Sequence, residues 1–173
     1  MYLLQFVMFS FIVYSFSTQK ECTDWYVVND SVMGGVSTSS VKKTKSNTLL
    51  FSGDMSMDNN GGFASMRSRP RVLSEKAFST IKLRVKSDGQ VYKFRLRTNK
   101  RFDGVAYSTN FQTKANKWVE VELPLEDFLP TFRGYVITDY PELIPTDIQQ
   151  LGVLIADKQE GEFAIELDWI KFE

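Results

Sequence analysis

The stretch Ser79-Thr-Ile-Lys-Leu-Arg-Val-Lys-Ser-Asp-Gly-Gln-Val-Tyr-Lys-Phe-Arg-Leu-Arg-Thr98 alternates apolar and cationic residues on both sides of Asp88-Gly89. Alternation of this kind is the period of a half-buried strand, whose successive side chains point to opposite faces. Asp-Gly readily supplies the positive φ values of a two-residue type I′ turn, so the pattern predicts a hairpin. In that register Val85 faces Tyr92, Leu83 faces Phe94 and Ile81 faces Leu96, which makes one apolar face for the core. The opposite face carries Lys82, Arg84, Lys86, Lys93, Arg95 and Arg97. Cations directly opposite one another destabilise a hairpin, so this face requires compensation. Two forms of it are open. Glu120 with Glu122, or Glu166 with Asp168, stand at alternating positions suited to a neighbouring acidic strand. Alternatively the face is concave and binds polar or anionic groups, with Tyr107 as an adjacent aromatic.

Outward from this segment, short alternating runs recur between turn residues, the pattern of an all-β, antiparallel β-sandwich. Strands are expected at residues 25–28, 36–42, 48–57, 63–67, 79–86, 90–98, 105–112, 118–123, 150–156 and 163–172. No stretch holds a helical period, and there is no internal repeat or low-complexity linker. Between Leu123 and Thr146, Pro124, Pro130, Pro141 and Pro145 restrict strand and helix alike. That segment reads as a long connection with one turn of helix at Leu125 to Phe128, and such loops are a usual place for recognition.

The 173 residues suit one domain, and 43% apolar with 14% aromatic content argues against disorder. Twenty-one basic residues balance twenty-one acidic ones, which removes the whole-chain electrostatic case for nucleic acid or an anionic membrane surface. The absence of histidine excludes His-dependent triads, His general bases and His-ligated zinc. Cys22 is the only cysteine, so no intrachain disulfide or multi-cysteine metal site can form. No cofactor is expected.

From Tyr2 to Phe16 the chain is apolar and uncharged. The run is too short for a transmembrane helix of about 20 residues but suits the apolar region of a secretory signal. Ser15 and Ser17 offer a small-x-small cleavage site. The expected division is a signal peptide at residues 1–17 and a single sandwich domain at 18–173. Export to a periplasmic or extracellular space follows, with no stable membrane span after cleavage. A mitochondrial presequence would be Arg-rich and amphipathic, so that compartment is the less favoured one.

Two glycine-bearing stretches stand out, Asn29-Asp-Ser-Val-Met-Gly-Gly-Val-Ser37 and Asn59-Asn-Gly-Gly-Phe-Ala-Ser-Met-Arg67. Paired glycines permit positive φ or close backbone approach, and Asn and Asp side chains bond nearby amides. No Lys-Ser/Thr follows Gly34 or Gly35, so these are not phosphate loops. Asp54, Asp58 and Asn59 lack the spacing of an EF-hand, and no metal site is expected. The candidate binding residues are Asn29, Asp30, Met33 and Asn60 in the two turns, Arg67 after the second, Arg95 and Arg97 from the basic face, and Tyr107. The turn residues can equally do no more than build two abutting turns.

With Trp25, Phe51-Ser52-Gly53, Tyr107, Trp118, Pro124 and Phe128, these motifs span nearly all the chain after residue 17, and the sequence resembles the complex I intermediate-associated protein 30 family. The resemblance implies a galactose-binding-like jelly roll, related in shape to carbohydrate-binding modules. It also implies a non-catalytic, chaperone-like role, since eukaryotic members hold intermediates of the membrane arm of respiratory complex I (NADH:ubiquinone oxidoreductase). A protein partner is therefore expected. The alternative is an exported carbohydrate-binding module using Tyr92, Tyr107 and Trp118. A carboxylate hydrolase built on Glu120 and Glu122, or on Asp30, lacks a recognisable catalytic set, so no catalytic residue is assigned.

Overall fold

The computed structural model describes residues 10–173. The first half contributes β1 (Phe11–Tyr14), the short helix α1 (Gln19–Thr23), β2 (Trp25–Val27), β3 (Thr38–Lys43), β4 (Leu49–Met55), β5 (Ala64–Ser68) and β6 (Thr80–Ser87). The second contributes β7 (Val91–Arg97), β8 (Ala106–Gln112), β9 (Trp118–Pro124), β10 (Leu129–Phe132), β11 (Tyr135–Val136), β12 (Gln150–Ile155) and β13 (Gly161–Phe172). One sheet has the order β3-β4-β13-β6-β9, with β1 also on β13; the other has the order β11-β10-β8-β7-β12-β5-β2. Their inner faces enclose a single core, and the architecture is an antiparallel sandwich of jelly-roll type.

All ten expected strands are present. The Pro-rich connection holds the expected helical turn at Leu125–Asp127 but also β10 and β11, which alternation did not reveal. Pro130 is tolerated there because β10 lies next to the sheet edge, where one missing N–H costs little.

The expected hairpin does not form. β6 lies between β13 and β9 in the first sheet, whereas β7 lies between β8 and β12 in the second. The Asp88-Gly89 segment is therefore an arch that joins the layers. Gly89 takes φ 95° while Asp88 stays out of the left-handed region, so the type I′ geometry is not made. Asp88 braces the arch instead. Its carboxylate accepts from the Tyr92 hydroxyl at 2.9 Å, the Gln90 amide at 3.0 Å and the Ala164 amide at 2.8 Å. The alternation is satisfied across the core: Ile81, Leu83 and Val85 point inward from one sheet, and Tyr92, Phe94 and Leu96 from the other, all fully buried. The crossing also puts the two cationic rows on opposite outer faces, which removes the repulsion a hairpin would have suffered.

Residues 11–16, expected in a cleaved leader, belong to the fold; residues 1–9 of that run lie outside the described residues. β1 pairs with β13 through Phe11 opposite Phe172 and Ile12 opposite Lys171. Tyr14 and Phe16 have no exposure, stack at 5.6 Å, and Tyr14 meets the edge of Trp25 at 5.4 Å. Thr18 and Glu21 then form a capping box that starts α1. Cys22 is buried beneath this segment, its thiol 3.8 Å from the Phe16 carbonyl oxygen. Cleavage at residue 17 would remove a strand and two core rings. Phe16→Ala should lower the unfolding free energy by about 3–5 kcal/mol in urea denaturation. A ring lying in a leader outside the domain would leave stability unchanged.

Candidate functional site

The two glycine turns abut, and Asp30 joins them. It opens a 3-10 turn over Asp30–Met33 that Gly34 closes at φ 91°. Its side chain has no exposure, and its two oxygens accept from the Ser37 hydroxyl at 2.5 Å and the amides of Ser37, Gly62 and Phe63 at 3.0, 2.7 and 3.3 Å. A Cβ on Gly35 or on Gly61 would overlap this side chain, while the other glycine of each pair takes a positive φ, 91° at Gly34 and 123° at Gly62. Burial by itself pushes the Asp30 carboxyl up, but the Ser37 hydroxyl and the three amides outweigh it and hold the group below its ordinary 3.8. Four donors fill a carboxylate's acceptor sites, so Asp30 serves the turns. Asn29 likewise accepts from the Ser39 hydroxyl at 2.7 Å. Asn60 and Met33 remain exposed at the rim, Met33 at 61%.

The two cationic rows differ in their surroundings. On the outer face of the first sheet Lys82 meets Glu122 at 3.0 Å and Glu173 at 2.8 Å, Lys86 meets Glu166 at 2.9 Å, and Arg84 is paired with Asp168. Arg84 and Lys86 also lie over the Trp118 ring. Compensation by acidic neighbours holds there, and Glu120 and Glu122 stand opposite Arg84 and Lys82 within that row.

In the row on the outer face of the second sheet, among the described residues, only Lys93 has such a partner, Asp157 at 2.9 Å. Register places Arg67, Gly152 and Arg95 side by side across β5, β12 and β7, with Gln150 beside Arg97 in the same layer. Among the described residues none of these three arginines has a carboxylate within ion-pair distance. Arg67 donates to the Phe102 carbonyl at 2.7 Å and lies over its ring at 5.3 Å; Arg97 donates to the Gly104 carbonyl at 3.1 Å. Arg95 makes no such bond. Burial first, then repulsion from Arg67, lowers the Arg95 guanidinium to about 10. Burial with repulsion from both neighbours lowers Arg97 to about 9, and burial lowers Arg67 as well. All three stay cationic at neutral pH. Together with Gly152 they line a depression of about 10 Å³, room for one water-sized atom.

Tyr107 is not beside them. It pairs with Leu96 on the inward side, is buried, and donates from its hydroxyl to the Pro141 carbonyl at 2.7 Å. The structure thus brings Arg67, Arg95 and Arg97 together, gathers Asn29, Asp30, Met33 and Asn60 separately at the turns, and puts Tyr107 in the core. Sequence reasoning missed Gly152, Gln150 and the Phe102 loop, whose only signal was a glycine and a glutamine in an alternating strand.

Residues 14–167 match the sequence profile described as Complex I intermediate-associated protein 30. The chain belongs to this family. Relatives bearing the family name include the mitochondrial protein of Mus musculus, 28% identical and aligned over 92% of this chain and 55% of its own length. The probable mitochondrial protein of Caenorhabditis elegans is 28% identical over 91% of this chain and 52% of its own length. The chain spans about half the length of these complex I intermediate-associated protein 30 relatives. Among solved structures, a family 11 carbohydrate-binding module of Clostridium thermocellum cellulase Lic26A-Cel5E superposes with TM-score 0.70 at 16% identity, over 96% of this chain and 95% of the module. A second such module, solved with a mixed-linked tetrasaccharide, gives 0.68 at 17% identity, with 94% of each chain covered. At such identities the likeness establishes the jelly-roll fold of the family member alone.

Two expectations change. Export, with mitochondria less favoured, is overturned: the relatives bearing the complex I intermediate-associated protein 30 name are mitochondrial, and part of the presumed export signal is a strand. The aromatic basis for glycan binding also disperses, since Tyr92 and Tyr107 are buried in the core and Trp118 lies on the opposite outer face.

Asp30→Ala should cost about 2–5 kcal/mol by orphaning the Ser37 and Gly62 amides. Because the folded-state pKa of Asp30 is depressed, its contribution is complete above the unfolded value near 3.8 and is lost as pH falls through the folded value. Urea midpoints measured from pH 6 downward should therefore drop at acid pH in wild type, with a shallower drop in the variant.

Proposed function

We propose that this family member is a non-catalytic binding domain that assists assembly of respiratory complex I in mitochondria, holding a protein partner on the outer face of its second sheet. The observation that carries this reading is the contrast between the two outer faces. Lys82, Arg84 and Lys86 are each neutralised by carboxylates, while Arg67, Arg95 and Arg97 are buried or half-buried with none at ion-pair distance among the described residues, Asp103 on the adjoining loop acting on Arg67 and Arg97 only from farther off. A desolvated cation lacking an anionic partner costs stability, and costs of this kind are retained where a ligand offsets them. The names of the relatives supply the partner class, intermediates of complex I.

A carboxylate hydrolase finds little support, since Glu120 and Glu122 belong to the neutralised face. Among the described residues no group of three or more Cys, Asp or Glu side chains is placed to hold a metal.

The test is cross-linking and affinity recovery from mitochondria of a strain lacking the endogenous protein and complemented with tagged variants. Wild type should recover complex I subunits and restore the assembled complex. Arg95→Glu should reduce recovery about tenfold, equivalent to about 1.4 kcal/mol. Lys42→Glu, on the first sheet, should behave as wild type. Failure to recover any complex I subunit, with normal complex I levels in the deletion strain, would refute the proposal.

A further inference from the structure

We infer that Gly152 floors a seat for a single oxyanion, and that its occupant is the carboxylate of an acidic side chain flanked by apolar residues on the partner. This inference rests on the reading of the second sheet as the partner face. The three arginines divide the work. Arg67 and Arg97 spend donors on the carbonyls of Phe102 and Gly104, which pins the loop between β7 and β8 and fixes both guanidinium groups beside the depression. Arg95 lies across Gly152 from Arg67 and spends no donor on the described residues. A guanidinium presents a planar fork of donors that matches the two oxygens of a carboxylate, or a phosphate, in bidentate fashion.

Gly152 makes the seat possible. A Cβ there would crowd the Met66 carbonyl oxygen at 3.1 Å and occupy the space between Arg67 Cγ, at 3.7 Å, and Arg95 Cβ, at 3.8 Å. The volume of about 10 Å³ is that of a single water-sized atom, so one oxygen of the anion enters it and a sugar ring does not. The flanks distinguish the source of the anion. Phe102, 58% exposed, lies against Arg67, and Leu129, 51% exposed, stands outward one strand beyond Ser108 in the same row as Arg95. A free phosphate would leave these apolar side chains uncovered. A peptide with an acidic residue between apolar ones would cover both, and neighbouring contacts that exclude water from an arginine anchor are a feature of strong interfaces.

The seat is tested on the purified chain. Sodium formate and sodium phosphate are compared with sodium chloride at equal ionic strength by thermal denaturation. A synthetic peptide carrying one Glu between two Leu is compared with its Gln counterpart by amide NMR titration. Formate should raise Tm by roughly 2–4 °C over chloride at saturating concentration. The Glu peptide should shift the amides of Gly152 and its neighbours and bind at least about tenfold more tightly than the Gln peptide. Arg95→Met should abolish both responses while its Tm in chloride equals or exceeds that of wild type, since an uncompensated cation has been removed. Arg95→Lys, which keeps the charge but not the fork, should weaken the Glu peptide without unfolding the domain.

Equal Tm in formate and chloride would overturn the seat, as would responses that survive Arg95→Met. Equal binding of the Glu and Gln peptides, with phosphate alone active, would overturn the carboxylate source. If the seat behaves as stated while wild type and Arg95→Met support complex I assembly equally, the seat stands and the proposed role of this face falls.

Discussion

One buried carboxylate ties together the places where the chain changes layer. Asp30 lies on the passage from β2 in the second sheet to β3 in the first, and through Gly62 and Phe63 it grips the return passage from β4 to β5. Ser37 extends the tie, since its hydroxyl donates to Asp30 and accepts from the Ser56 amide just beyond β4. A sandwich whose strands alternate between sheets must bring polar crossover backbone to the edge of its core, where unpaired amides are costly. A charged acceptor that gathers several of them at once satisfies that demand in little space. Asp88 repeats the device at the arch from β6 to β7, bonding to Ala164 on β13 and to Tyr92 on β7. The arginine row owes its position to these crossings, because β5, β7 and β12 become neighbours only after the chain has passed between layers several times.

The parts of this architecture that were legible in the sequence are those with a local physical signature. Alternation located the ten strands, and it assigned Ile81, Leu83, Val85, Tyr92, Phe94 and Leu96 to the core because burial has the same period in either sheet. Alternation carries no information about which sheet a strand joins. Asp-Gly suits a hairpin, yet a single left-handed Gly89 with a well-bonded Asp88 makes an arch equally well. The apolar run at the N-terminus was ambiguous for a similar reason: an uncharged aromatic segment fits an export signal and also fits an edge strand that delivers Tyr14 and Phe16 to a core.

The site was readable in its charges and hidden in its spaces. Arg95 and Arg97 share a strand face by parity, and Arg67 follows a recognisable motif. Their convergence, however, depends on β12 lying between β5 and β7, a long-range pairing that no window of sequence reports. Gly152 is silent in sequence because what it contributes is a missing side chain. Equal totals of acidic and basic residues concealed the asymmetry further. Overall neutrality coexists here with one face on which charges cancel locally and another on which they do not, a distinction that net charge cannot express.

The single thiol gives the N-terminal segment an unusual property. Cys22 packs beneath Phe16 at the foot of a surface hollow lined also by Gln19, Thr23 and Lys42, and burial pushes its pKa up, so in the closed domain it is a poor nucleophile. Every excursion in which β1 peels from β13 would uncover it. The rate at which this one sulfur is alkylated is therefore a clock for opening at that corner, readable in a chain with no other cysteine to confuse the signal.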